Sequence, residues 1–156
     1  MKLREILVGI EGLKVRGNLD TEITHLDKDS RNIKENGLFI AIKGFDVDGH
    51  EYVETAIKQG ASAVILQEGV NTELIKNIPE QVTIVVAKDT RYALAICSCN
   101  FYGNPSRKFK LIGITGTKGK TTTTFMAKKI LEKAGKKVGL IGTITQKWPN
   151  KRFLCT

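Results

Sequence analysis

Little in this chain can bind metal, form disulfides or cross a bilayer. There are three Cys and two His among 156 residues. Cys97-Ser98-Cys99 is not a CxxC pair, and no second Cys pair completes a zinc set. Neither a disulfide framework nor a structural zinc is expected, and the three thiols are read as packing residues. No apolar run approaches the ~18 residues of a membrane-spanning helix. Internal repeats and low-complexity tracts are absent apart from four consecutive threonines, Thr121–Thr124. Acidic residues are scarce in one part only. Residues 1–106 carry 12 Lys and Arg against 15 Asp and Glu, whereas residues 107–156 carry 13 against Glu132 alone. Such asymmetry suggests an anionic partner, or acidic residues lying on polypeptide beyond this stretch.

The composition is that of a soluble globular protein, 41% hydrophobic and 26% charged. A fold of this size buries roughly 70% of the surface that its unfolded chain exposes, enough for a real core. The opening "MKLREILVGI" interrupts its apolar residues with Glu5. Its Leu3, Ile6, Leu7 and Ile10 recur at helical spacing, which predicts a short amphipathic helix rather than a signal peptide. A cytoplasmic location is expected.

Strands and helices then alternate. "TEITHLDKDSR", "GLFIAIKG", "SAVIL" and "VTIVVA" predict strands. "DGHEYVETAIKQG", "NTELIKNI" and "RYALAICSCNFYG" predict helices, the last capped by Asp89 or Thr90. The first helix places Tyr52, Val53, Ala56 and Ile57 on one face. The class is α/β with some parallel pairing. "GNPSRKF", Gly103 to Phe109, combines turn residues with a sudden rise in basic charge and predicts a linker. Two domains are expected, 1–106 and 107–156.

The second domain begins with a strand "KLIGIT" and a loop "GTKGK". A helix from Thr121 to Ala134 and a strand "KVGLIGT" complete a single βαβ unit. The helix is predicted to bury Met126, Ala127, Ile130, Leu131 and Ala134 and to turn Lys128, Lys129 and Lys133 to water. Parallel sheets need helices on both faces, so one such unit is read as the beginning of a larger domain. It should be mobile or pair with another copy.

Gly119-Lys120-Thr121 matches the end of the phosphate-loop pattern G-x-x-x-x-G-K-[ST], although its first glycine position holds Ile114. Gly113 and Gly116 flank that place. Residues 116–121 can turn successive backbone N–H groups toward one point, since glycine reaches angles that other residues avoid. The free N–H groups of the new helix add partial positive charge there. Lys120 would bridge outer phosphates, and the Thr121 hydroxyl would coordinate Mg²⁺. Threonines are tolerated in a first turn because their hydroxyls can satisfy free backbone donors.

"GITGTKGKTTTT" resembles the ATP loop of the Mur ligases, the ATP-dependent amide-forming enzymes of peptidoglycan synthesis. "DSRNIKENGLFIAIKGFDVDGHEYVETAIKQGASAVI" is similar to the amino-terminal domain of those that add the third residue or the terminal dipeptide. "NPSRKFKLIGITGTKGKTTTT" favours the third-residue, MurE type. The resemblance implies a small N-terminal α/β domain for the UDP end of UDP-N-acetylmuramoyl-peptide, followed by the first βαβ unit of a P-loop ATPase-like parallel-sheet domain. It implies substrate contacts at Ser30, Phe45, Asp46, Val47 and Thr156. It implies ATP contacts at Gly116, Thr117, Lys118, Gly119, Lys120, Thr121 and Thr122, with Lys120 catalytic and Thr121 on Mg²⁺. The implied chemistry activates a carboxylate as an acyl phosphate, which an amino acid or diamino acid then attacks.

Three departures stand out. Lys118 occupies a position usually held by Asn. Glu35-Asn36-Gly37 replaces a usual Pro-Gly-Asp, and the sequence ends at Thr156 where family members continue. These 156 residues are therefore expected to be the front part of a ligase and inactive alone. The alternative is a stand-alone UDP-sugar-binding module. Nucleic-acid binding has no recognisable motif to support it, and a small P-loop kinase lacks a following acidic strand. No chemistry is assigned to His25 or His50.

Overall fold

A computed structural model of the chain describes residues 1–45, 47–142, 145–148 and 151–154. They divide into two compact units, Met1–Phe109 and Lys110–Thr156.

The first unit is built on a five-stranded sheet. Strands β1 (Lys14–Arg16), β2 (His25–Asp27), β3 (Gly37–Ile40), β4 (Ala61–Gln67) and β5 (Thr83–Ala87) lie in the order β1-β5-β4-β3-β2. The β2, β3, β4 and β5 neighbours pair in parallel, and β1 is antiparallel to β5. Alternate residues of the central strands feed two separate cores. Leu38, Ile40, Ala63, Ile65, Val85 and Ala87 pack on one face with Leu3 and Ile6 of helix α1 (Leu3–Ile6). Phe39, Val64, Leu66 and Ile84 pack on the other with Val53 and Ala56 of helix α2 (Val53–Lys58). Helix α3 (Thr72–Asn77) adds Ile75 to this second core, while α4 (Thr90–Phe101) adds Ala93 and Cys97 to the first. Burial on both faces explains why "SAVIL" and "VTIVVA" are unbroken apolar runs. Cys97 is fully buried, and that burial pushes its thiol up to about 12, as suits a packing residue.

Several predicted elements are shorter than their sequence patterns. Helix α1 stops after four residues, and Glu5 serves as a cap by accepting the Lys2 N–H at 2.9 Å. Only His25–Asp27 of "TEITHLDKDSR" is strand, because the Asp27 and Asp29 carboxylates capture the next backbone amides and turn the chain. "DGHEYVETAIKQG" opens as a 3₁₀ turn over Gly49–Tyr52 before α2 begins. Tyr52 is consequently exposed instead of sharing the buried face.

In the second unit helix α5 spans Lys120–Lys133, and strands β6 (Leu140–Ile141), β7 (Thr145–Trp148) and β8 (Lys151–Leu154) form an antiparallel sheet. Residues 110–115 form no strand, so the parallel pairing expected of "KLIGIT" and "KVGLIGT" is not among the described ladders. Leu111 and Ile112 are exposed, whereas β6 pairs with the next strand along the chain, the pairing that needs the shortest connection. The predicted faces of α5 also change. Met126 and Ile130 are 60% and 65% exposed, and no α5 residue is buried. Lys128 is half-buried instead of facing water, donates to the Val138 carbonyl at 3.2 Å and pairs with Glu132.

Two glycines of the first unit separate backbone strain from crowding. Gly60, between α2 and β4, has φ +110° and a Cβ there would lie 2.8 Å from Glu35 backbone atoms. Gly69 has φ +87° with nothing within 4 Å. Gly69→Ala should cost the unit about 1–2 kcal/mol, the strain alone. Gly60→Ala should cost clearly more in the same urea unfolding experiment, and equal losses would show that crowding at Glu35 is relieved freely.

Candidate functional site

The parallel strands of the first unit release their loops at one edge of the sheet, where ligands of open α/β sheets collect. The turn after β2 is held by its own side chains. Asp27 accepts the Asp29 N–H at 2.8 Å and an Asn32 amide N–H at 3.1 Å. Asp29 accepts the Arg31 N–H at 3.0 Å and receives the guanidinium on both oxygens, at 2.9 Å from Nε and 2.6 Å from Nη2. Arg31, through its side chain first and its backbone N–H second, holds the Asp29 carboxyl down at about 2. Ser30 sits between them, buried, as the first residue of a 3₁₀ turn over Ser30–Asn32.

The segment after β3 is a narrow hairpin-like loop. Ile42 accepts the Gly49 N–H at 2.9 Å, Lys43 bridges Asp48, and Val47 accepts the Gly44 N–H at 2.8 Å. A Cβ on Gly44 would meet the Val47 carbonyl oxygen at 2.7 Å, and one on Gly49 would meet Ile42 at the same distance, so both closures need glycine. Phe45 and Val47 are presented to solvent near the tip, Phe45 fully. Asp46 and Thr156 lie outside the described residues. Because β2 and β3 are parallel neighbours, Ser30 and the Phe45–Val47 loop leave the same edge of the sheet.

A polar network beside that loop carries residues to which the sequence analysis gave no role. His50 is buried, with Nδ1 2.6 Å from Asp48 Oδ1 and Nε2 3.0 Å from the Gln67 backbone nitrogen. Gln67 donates its side-chain amide to the Lys88 carbonyl at 3.0 Å and accepts the Thr90 hydroxyl at 3.1 Å. Arg91 donates to the Lys43 carbonyl at 2.7 Å. Lys43, Asp48, His50, Gln67 and Arg91 line a recess of about 780 Å³ together with Glu51, Glu68 and Asp89. The backbone N–H of His50, then its side chain, lowers the Asp48 carboxyl below its ordinary range. The signal available in the sequence was Asp48-Gly49-His50, an aspartate immediately before a helical turn that it caps. His25 is likewise structural: its Nε2 accepts the Lys34 N–H at 2.8 Å.

In the second unit, Gly116 and Gly119 bound a bend with φ +144° and +78°, and α5 starts directly at Lys120. No side chain caps that start. Lys120 Nζ donates back to the Gly116 carbonyl, which brings the ammonium across the bend. Thr117, Lys118 and Thr122 are exposed and Thr121 is half-buried. Thr124 does not satisfy a free N–H as expected of a helix start: its hydroxyl donates back to the Thr121 carbonyl at 2.7 Å. The seven residues from Gly116 to Thr122 are thus contiguous around one uncapped helix start. Among the described residues no group of three or more His, Cys, Asp or Glu could hold a metal.

A two-faced, mostly parallel sheet and a glycine-bounded helix start place the chain among the α/β proteins. It belongs to the Mur ligase family. Residues 22–102 match the model described as "Mur ligase family, catalytic domain", and residues 114–153 match the Mur ligase middle domain. The chain is 49% identical over 144 residues to the UDP-N-acetylmuramoyl-L-alanyl-D-glutamate–2,6-diaminopimelate ligase of Clostridium tetani, covering 92% of this chain and 29% of that protein. With the ligase of the same name from Clostridium perfringens it shares 45% over 152 residues, which is 97% of this chain and 30% of that one. The chain thus spans about 30% of the length of these relatives. Among solved structures, a crystal structure of MurF from Acinetobacter baumannii is similar at a TM-score of 0.62 and 27% identity, over 85% of this chain and 27% of that one.

The Asp29–Arg31 pair gives a direct check of the β2 turn. The ordinary value for the Asp29 carboxyl is 3.8 and its folded value is about 2, so its contribution to stability is complete above the ordinary value and lost as pH falls from about 4 to about 2. Arg31→Ala should move the Asp29 midpoint up toward 3.8 in a carboxyl-carbon NMR titration. An unchanged midpoint would show that Arg31 does not set it.

Proposed function

We propose that this chain supplies the nucleotide-sugar-binding unit and the first part of the ATP-binding unit of a peptidoglycan ligase, which adds the third amino acid to UDP-N-acetylmuramoyl-L-alanyl-D-glutamate. The observation that carries this reading is 49% identity over 92% of the chain to a ligase named for that reaction. The names of the relatives point to 2,6-diaminopimelate as the amino acid added. A cytoplasmic setting fits such substrates, and no helix among the described residues is long and apolar enough to cross a membrane.

In this reading Ser30, Phe45, Asp46, Val47 and Thr156 contact the UDP-sugar substrate. Ser30 is held by two carboxylate-capped turns, and the Phe45–Val47 tip by the Lys43–Asp48 bridge, so neither segment has far to reorganise when ligand arrives. Gly116–Thr122 hold ATP. Its phosphates would lie against the uncapped N–H groups at the start of α5, with the Lys120 ammonium close by. ATP supplies the phosphoryl group that turns a substrate carboxylate into an acyl phosphate, and Lys120 and the loop amides stabilise charge growing on that group. Thr121 would offer one hydroxyl oxygen to a Mg²⁺ ion, whose charge would favour the phosphates at this helix start. Lys118 places a further cation beside the phosphates.

A second reading, that the first unit is a UDP-sugar-binding module in its own right, is favoured by its two complete cores. Calorimetry on the 156-residue chain tests both. Ser30→Ala should weaken binding of UDP-N-acetylmuramoyl-dipeptide by roughly tenfold, the loss of about one hydrogen bond, and leave ATP binding unchanged. Lys120→Ala should weaken ATP by about 10- to 100-fold and leave the UDP ligand unchanged. Binding of the UDP ligand alone would support the module, and binding of neither nucleotide would sink both readings.

A further inference from the structure

His50 is 7% exposed and touches a donor and an acceptor of fixed kind. A backbone N–H can only donate, so Nε2, 3.0 Å from the Gln67 nitrogen, carries a lone pair. The ring proton is therefore on Nδ1 and goes to the Asp48 carboxylate 2.6 Å away. Asp48 Oδ1 also accepts the His50 N–H, at 3.0 Å. The ring thus joins the foot of the 42–49 loop to Gln67, the last residue of β4. Gln67 is itself anchored to the Lys88 carbonyl and the Thr90 hydroxyl, and Arg91 reaches back to the Lys43 carbonyl. Among the described residues of the tip, Phe45 is fully exposed and Val47 is exposed, and the bond from the Gly44 N–H to the Val47 carbonyl ties the tip only to itself. Where the tip stands is decided at its foot.

We propose that His50, locked as the Nδ1–H tautomer between Asp48 and the Gln67 amide, is a positioning residue for the UDP-linked ligand, holding the loop that presents Phe45 and Val47. This rests on the reading of that loop as a uridine contact. His50 acts through the loop and does not itself contact the ligand. Its ring could be replaced by a neutral acceptor that reaches the same amide. Glutamine is that acceptor, since its side-chain carbonyl can stand where Nε2 stands.

The test uses the whole chain. Nitrogen-15 NMR of the histidine ring should show Nδ1 protonated and Nε2 bare. In amide exchange, His50→Ala should speed the Gly44 and Gly49 amides by about tenfold or more relative to Ile65 and Val85, whereas His50→Gln should leave them near wild type. Calorimetry with UDP-N-acetylmuramoyl-dipeptide should show about tenfold weaker binding for His50→Ala and recovery to within about threefold for His50→Gln. A protonated Nε2, or loop exchange and affinity unchanged in His50→Ala, overturns the proposal. So does faster exchange spread evenly over β4 and β5, which would mark His50 as a general structural residue. Weak binding by His50→Gln with a wild-type loop also overturns it, since the ring would then touch the ligand. Should the wild-type chain bind no UDP ligand, the uridine reading of the loop fails and the positioning role with it, while the tautomer and exchange results still report whether His50 holds the loop.

Discussion

Strands β3, β4 and β5 bury side chains on both faces, and that double burial constrains everything else in the first unit. Leu38, Ile40, Ala63 and Ile65 need one cover, and Phe39, Val64 and Leu66 need another. Helices must therefore lie on both sides, and every parallel crossover must bring the chain back to the same end. Polar loops accumulate at the opposite edge because the apolar layers leave no room for them elsewhere. Helices of four to six residues such as α1 and α2 would not persist in water without this sheet to pack on.

One device recurs in the connection that follows each parallel strand. After β2, Asp27 and Asp29 each accept the N–H two residues on. After β3, Asp48 does the same for His50, after β4 Asn71 for Glu73, and after β5 Asp89 for Arg91. Arg31, His50, Glu73 and Arg91 lie in the first turn of a helical segment, where the amides have no partner within the turn, and a short carboxylate or carboxamide supplies one with little entropy lost. The proposed ligand contacts depend on it: Ser30 and the loop that carries Phe45 and Val47 are both held by such turns. Local polar chemistry at the strand ends therefore decides where candidate ligand contacts stand, while the apolar core decides only that there is an edge to stand on.

That division explains what was legible in the sequence. Apolar runs such as "SAVIL" and "VTIVVA" have one stable use in a chain of alternating elements, and they lie in β4 and β5. The Asp89 cap was legible because capping is a rule about neighbours in sequence. The early stop of β2 was less so: alternation continued past Asp27 and masked two carboxylates competing for the backbone. His50 was missed for another reason. Its partner Gln67 is seventeen residues away, and only the pairing of β3 with β4 brings them together. The bend around Gly116–Thr122 was legible since glycine position and helix start are both local. The pairing of residues 110–115 and β6 was not, because a ladder depends on which strands stand beside it.

The second unit shows the same distinction from the other side. Helix α5 has no buried residue, and Met126 and Ile130 face solvent, so packing contributes little to holding it. Four of its first five residues are threonines, whose stiff side chains disfavour a helix interior. Such a start is poor by the measure of helix propensity and suitable by the measure of exposed donors. A capping aspartate, the device that closes α4, would fill the N–H groups at the mouth of α5 and place a negative charge where a phosphate would bind. The sequence instead puts Gly119 at that position, with Lys118 and Lys120 on either side and Glu132 as the lone acidic residue after position 106. Leaving that cap to glycine sacrifices roughly a few tenths of a kcal/mol of helix stability, a small loss that is intelligible if an anion completes the turn.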